Sequence, residues 1–65
     1  MYVRVLDNSQ IKTVITMVQE AQMFTIDDKP EFIRVTDPDN SAVFTALKKD
    51  GNSWLCRFSS FYFPE

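Results

Sequence analysis

Apolar side chains recur along this chain in two periods. In residues 1–6 they alternate: Val3 and Val5 point one way and Tyr2, Arg4 and Leu6 the other, which predicts a short strand. The period then changes. Ile11, Val14, Ile15 and Val18 fall on one helical stripe that Ala21 extends, and Lys12, Thr13, Thr16, Gln19, Glu20 and Gln22 fill the opposite side. Residues 9 to about 23 are therefore predicted to form an amphipathic helix. Asp7-Asn8-Ser9 ahead of the stripe offers N-cap oxygens for the first helical amides. The stripe is rich in β-branched residues of modest helix propensity, so docking has to hold the helix in place.

Beyond the helix the chain is strand-rich. Asp27-Asp28-Lys29-Pro30 is predicted as a polar loop, residues 31–36 as a strand, and Asp37-Pro38-Asp39-Asn40 as a turn in which proline presets φ. Residues 42–48 read as a strand. Asn40-Ser41 also offers caps for a short helix through Val43, Ala46 and Leu47; the apolar runs on both sides of Asp50-Gly51 favour the strand, because Asp-Gly is a strong hairpin signal. Residues 53 to about 63 form the last predicted strand. The order β-α-β-β-β predicts an α+β fold. The expected architecture is a three- or four-stranded antiparallel sheet with one amphipathic helix packed on one face, all within a single domain, residues 1–65.

A two-residue loop at Asp50-Gly51 sets a register. Leu47 then faces Trp54, Thr45 faces Cys56 and Val43 faces Phe58 on one side of the sheet. Ala46 with Leu55 and Phe44 with Arg57 occupy the other. Ile33 and Val35 join the Phe44 side, and Phe32, Arg34 and Thr36 the tryptophan side. A bulge or a three-residue loop would move this register by one. In the two-residue register both faces carry large apolar residues, and one helix covers only one of them. The uncovered face is therefore a candidate interface. Phe58, Phe61, Tyr62 and Phe63 crowd the last eight residues. That segment is expected to pair with residues 1–6, to pack over the helix, or to be buried against a second copy.

Composition narrows the function classes. A chain of 65 residues buries only about 60% of the surface it exposes when unfolded, so its core is marginal. Cys56 is the one cysteine and there is no histidine, which leaves no internal disulfide and no Cys/His zinc cluster as a staple. Apolar packing, association or both must supply stability. No apolar run approaches the roughly 20 residues of a membrane span, and the N-terminal residues show no export signal. With the lone cysteine, these features predict a cytoplasmic location. Seven basic residues against nine acidic ones give a net charge of −2, which argues against broad, nonspecific binding to DNA.

Candidate chemistry is thin. Histidine, the commonest general acid–base residue, is missing. Asp27-Asp28 and Asp37 with Asp39 are the tight acidic clusters, and a hard cation such as magnesium takes oxygen ligands of this kind. Both clusters lie in predicted loops, where aspartate ordinarily caps turns. Cys56 needs a base or a positive field to become a nucleophile, and alternation sends its neighbour Arg57 to the other face. Gly51 is the one glycine, so no phosphate-cradling loop exists. The expectation is a protein without catalytic residues, metal or cofactor. It would act as an interaction module that binds a protein partner or itself, with Phe44, Trp54, Phe58 and Tyr62 as aromatic anchors. A second reading is a small nucleic-acid-binding module using Arg34, Lys48, Lys49 and Arg57 beside sheet aromatics. A third is an acidic inhibitor or decoy.

The stretch Ser41-Ala42-Val43-Phe44, followed by residues 49–58 with Lys49-Asp50-Gly51-Asn52 and Cys56-Arg57-Phe58, resembles a small helix-plus-β-meander accessory domain found in some restriction-type endonucleases. In that family an Asp/Asn-rich hairpin turn leads into a Cys-Arg-aliphatic-aromatic strand. Here the Cys-Arg pair is kept and the intervening aliphatic residue is missing. The likeness spans about half the chain. It implies an accessory module near DNA metabolism and transfers no catalytic residue.

Overall fold

The change of period at Asp7 is the first junction of the fold. In the computed structural model, which describes residues 2–60, 62 and 63, strand β1 (Tyr2–Asp7) runs directly into helix α1 (Asn8–Ala21). Asp7 caps the helix. Its carboxylate accepts from the Gln10 N–H at 2.8 Å and from the Ser9 hydroxyl at 2.7 Å, and Gln10 Oε1 accepts from the Asp7 N–H at 2.9 Å. This reciprocal box satisfies two amides that the first helical turn would otherwise leave open. The helix stops at Gln22, which takes a left-handed conformation at φ 59° and donates its N–H to the Gln19 carbonyl.

Four strands follow: β2 (Thr25–Asp28), β3 (Phe32–Thr36), β4 (Ala42–Lys48) and β5 (Ser53–Phe58). They form one sheet with β1 in the order β1-β5-β4-β3-β2, and every neighbouring pair is antiparallel. The chain thus starts at one edge, crosses to the opposite edge through α1, and meanders back until β5 lies beside β1. The α+β class read from the sequence holds, and so does the strand assignment of residues 42–48. The strand number is corrected to five. Asp27 and Asp28 of the stretch read as a polar loop belong to β2, whose Ile26 pairs with Val35 and Asp27 with Arg34. Two aspartates in four residues hide a strand from propensity, but charge is well tolerated on an edge strand.

The β4–β5 register also differs from the two-residue expectation. Lys49 N–H donates to the Ser53 carbonyl at 2.9 Å, closing a three-residue loop, Asp50-Gly51-Asn52. Asp50 Oδ1 braces that loop by accepting from the Asn52 N–H at 2.9 Å. Gly51 does not take a positive φ, so the left-handed turn that Asp-Gly normally signals is not formed. The observed partners are Lys48 with Trp54, Leu47 with Leu55, Ala46 with Cys56, Thr45 with Arg57 and Phe44 with Phe58. One added loop residue exchanges the faces.

Trp54, Cys56 and Phe58 consequently share a face with Phe44, Ala46, Ile33 and Val35, and Ile11 and Val18 of α1 complete the buried cluster above them. Val43 is the extra residue of a bulge, since Val35 pairs with Phe44 and Thr36 with Ala42. Val43 and Phe44 are both buried.

The expected strand to residue 63 stops at Phe58. Ser59 donates its N–H to the Val43 carbonyl and accepts from the Tyr62 and Phe63 amides, which makes a turn. The Phe63 ring lies 5.4 Å from that of Phe58 and 6.2 Å from that of Phe44. Tyr62 meets Phe24 edge-on at 5.4 Å and donates its hydroxyl to Asp37 Oδ2 at 3.1 Å. These aromatics close one end of the core. Phe61, which belonged to the aromatic tail of the sequence reading, lies outside the described residues. Among the described residues no helix is long and apolar enough to cross a membrane.

Candidate interaction face

Two of the residues with catalytic or metal-binding potential, Cys56 and Asp37, are committed to local structure. Cys56 is fully buried, its Sγ lies 3.7 Å from the Trp54 carbonyl, and burial pushes its thiol up to about 11. Asp37 accepts from the Asp39 and Ser41 amides through Oδ1, both at 2.9 Å, and from Tyr62 through Oδ2, which makes it the organiser of the β3–β4 loop. Asp27 forms an exposed ion pair with Lys29 at 3.6 Å. Among the described residues no three His, Cys, Asp or Glu side chains gather to hold a metal ion.

The sheet face turned away from α1 carries two cross-strand rows. Val5 pairs with Leu55, Leu55 with Leu47 and Leu47 with Phe32, so four apolar side chains line up across β1, β5, β4 and β3. The next row runs Val3, Arg57, Thr45, Arg34, Asp27 across all five strands. Directly opposed side chains lie about 4.5–5.5 Å apart, so each row is continuous. Val3, Val5 and Leu47 stay 55%, 54% and 56% exposed and Leu55 38%, whereas Phe44, Ala46, Trp54, Cys56 and Phe58 on the other face are buried. A shallow depression of about 240 Å³ opens between Phe32, Thr45, Leu47, Leu55 and Arg57.

Among the described residues neither arginine of this face forms a salt bridge. Asp27 sits opposite Arg34 in the register, yet the one salt bridge among the described residues joins Asp27 to Lys29. Arg34 instead lies over the Phe32 ring, 5.5 Å from its centroid.

The structure sorts the residues singled out in the sequence. Phe44, Trp54 and Phe58 lie in the core at 1%, 6% and 5% exposure, not on the open face; the register shift brings Trp54 and Phe58 to the side that Phe44 shares with Ile33 and Val35. Tyr62 is half-buried at the end of the core. Arg34 and Arg57 share the open face. Lys48 lies on the covered side, with Nζ 5.3 Å from the Trp54 ring centroid. Lys49 enters the β4–β5 loop and borders a different depression with Pro30, Glu31 and Asp50. The four cations therefore do not form one surface. The open-face residues that the sequence reading did not single out are Val3, Val5, Leu47 and Leu55. Loop length was the signal that would have found the two leucines, since a three-residue loop exposes them.

A further concavity, about 450 Å³, lies on the covered side between β1 and α1. Leu6, Val14, Met17 and Phe58 line it together with Arg4.

Comparison with known protein families, with curated proteins and with solved structures returns no match.

Proposed function

We propose that this domain is a non-catalytic interaction module that binds a protein partner through the open face of its sheet. The apolar row Val5–Leu55–Leu47–Phe32 carries the reading. An antiparallel sheet with one helix normally presents alternating polar residues to water on its free side, and here four adjoining strands present apolar ones. Burying such a row removes apolar surface from water, worth about 25 cal/mol per Å² before the costs of association. Cys56 is sequestered and Asp37 is committed to its loop, which supports work by contact rather than by chemistry.

The aromatic anchors of this reading shift from Phe44, Trp54 and Phe58 to Phe32 with Leu47 and Leu55. The nucleic-acid alternative keeps Arg34 and Arg57 but loses Lys48 to the covered face. The decoy alternative needs clustered carboxylates, and these are spread over the helix cap, β2 and both hairpin loops.

The test is a photo-crosslinking amino acid placed at Leu47, at Leu55 or at Met17 on the helix, with the full chain expressed in its native cells. The expected result is a discrete protein adduct from Leu47 and Leu55 that Met17 does not give. Equal adducts from all three positions, or adducts from Met17 alone, would overturn the proposal.

A further inference from the structure

Resting on the interaction reading above, we infer that the open face receives an acidic amphipathic helix of a partner protein. Charge makes the first argument. Arg57 and Arg34 flank Thr45 in one row, next to the apolar row; Asp27 stands opposite Arg34, yet among the described residues neither arginine forms a salt bridge. The chain is acidic overall at −2, yet the middle of this face is basic. A surface of that kind is complementary to a segment with apolar residues on one side and carboxylates along their flank.

A second copy fits poorly. A two-fold axis along the strands through Thr45 would set Arg34 of one copy against Arg57 of the other, because the row reads Arg57, Thr45, Arg34. A two-fold axis parallel to the rows and midway between them would lay guanidiniums over the apolar row.

Spacing selects a helix over an extended segment. Arg57 and Arg34 are two strands apart, about 9.6 Å, and seven residues of α-helix rise about 10.5 Å. The apolar row spans three strand intervals, about 14 Å, or two and a half helical turns. An extended segment repeats its side chains every 6.7 Å or so on one face; two repeats match the apolar row, but neither one nor two repeats match the spacing of about 9.6 Å between the arginines. Single-stranded nucleic acid would need several stacking rings, and the row offers Phe32 alone, at its outer end.

The experiment uses two synthetic helical peptides of about 18 residues, long enough to hold helix in water. They share one leucine stripe and carry either glutamate or lysine on its flank. Each is titrated into the isotope-labelled full chain. The glutamate peptide is expected to shift amide signals of Arg34, Thr45, Leu47, Leu55 and Arg57, and to bind at least about tenfold tighter than the lysine peptide, the span of a few exposed charge pairs. In the double variant Arg34→Glu, Arg57→Glu the preference reverses. Should that variant fail to fold, Arg34→Gln, Arg57→Gln is expected to abolish the preference.

Equal binding of the two peptides, or an unchanged preference in the variants, would overturn the inference. So would low-salt binding of a single-stranded oligonucleotide that the double variant loses. Failure of both peptides while Leu47 still crosslinks to a cellular protein removes the acidic helix and leaves the partner reading standing. Failure of the crosslink as well removes both.

Discussion

The indole N–H of Trp54 donates a 2.8 Å hydrogen bond to Oδ1 of Asn8. From the same amide group, Nδ2 donates to the Gly51 carbonyl at 3.1 Å. One side chain in the first turn of α1 thereby satisfies a buried tryptophan 46 positions away and holds the β4–β5 loop. Tryptophan is rarely buried without a partner for its N–H. Asn8→Ala removes the acceptor and is expected to cost about 1–3 kcal/mol, the penalty for stranding a buried donor. Asn8→Asp keeps an oxygen for the indole and should cost less. Urea unfolding followed by Trp54 fluorescence checks both.

Phe44 and Leu47 lie three residues apart on the same strand and on opposite faces. Phe44 is 1% exposed and Leu47 56%. Phe44→Ala should destabilise by about 3–5 kcal/mol, because it opens a cavity against Phe58 and Phe63. Leu47→Ala should stay within about 0.5 kcal/mol. A large loss at Leu47 with little at Phe44 would contradict the register.

The alkaline limb of stability should report Cys56 and Tyr62. Burial raises the Cys56 thiol from an ordinary 9.0 to about 11. Loss of water and then the Asp37 carboxylate raise the Tyr62 phenol above 10.0. Both folded values exceed the unfolded ones, so the native state favours the protonated forms. The thiol contribution is complete below pH 9.0 and is lost as pH rises towards about 11. Denaturation midpoints should fall above pH 9, and Cys56→Ala should flatten part of that fall. In native protein at pH 8 a thiol reagent should react only on the timescale of unfolding.

The acid limb runs the other way. The Gln10 amide and the Ser9 hydroxyl hold the Asp7 carboxyl below 3.8, and the Asn52 amide with the Ser53 hydroxyl holds Asp50 below it too. A depressed folded value stabilises the native state above the unfolded value of 3.8, and the contribution disappears as pH falls through the folded value. Thermal midpoints should therefore decline below about pH 4. Asp7→Ala should lower the midpoint at neutral pH and make the acid decline shallower, since one of the two linked protons is gone.

Local patterning made several parts of the fold legible. The Ile11–Val18 stripe marks α1, although the helix begins at Asn8 rather than Ser9, because Asp7 is the residue that caps it. The Asp37 turn and the hairpin at Asp50 sit where the turn residues placed them. Strand β2 was not legible: Thr25–Asp28 has little intrinsic strand character and is ordered by pairing along β3. The end of β5 at Phe58 was not legible either. Nothing in Phe61-Tyr62-Phe63 distinguishes a continuing strand from a turn that returns Tyr62 to Asp37 and Phe63 to the core.

The candidate face shows where the division lies. By itself the sequence determined which residues travel together, since a strand alternates with a period of two: Trp54, Cys56 and Phe58 form one set, Leu55 and Arg57 the other. It also determined that one helix leaves one face of the sheet uncovered. Only the tertiary structure decided which set is uncovered. That choice rests on the parity of the β4–β5 loop. The Lys49–Ser53 hydrogen bond and the Asp50 carboxylate on the Asn52 amide make the loop three residues long. With that parity Leu47, Leu55, Arg34 and Arg57 meet solvent, and the tryptophan goes under the helix to its bond with Asn8.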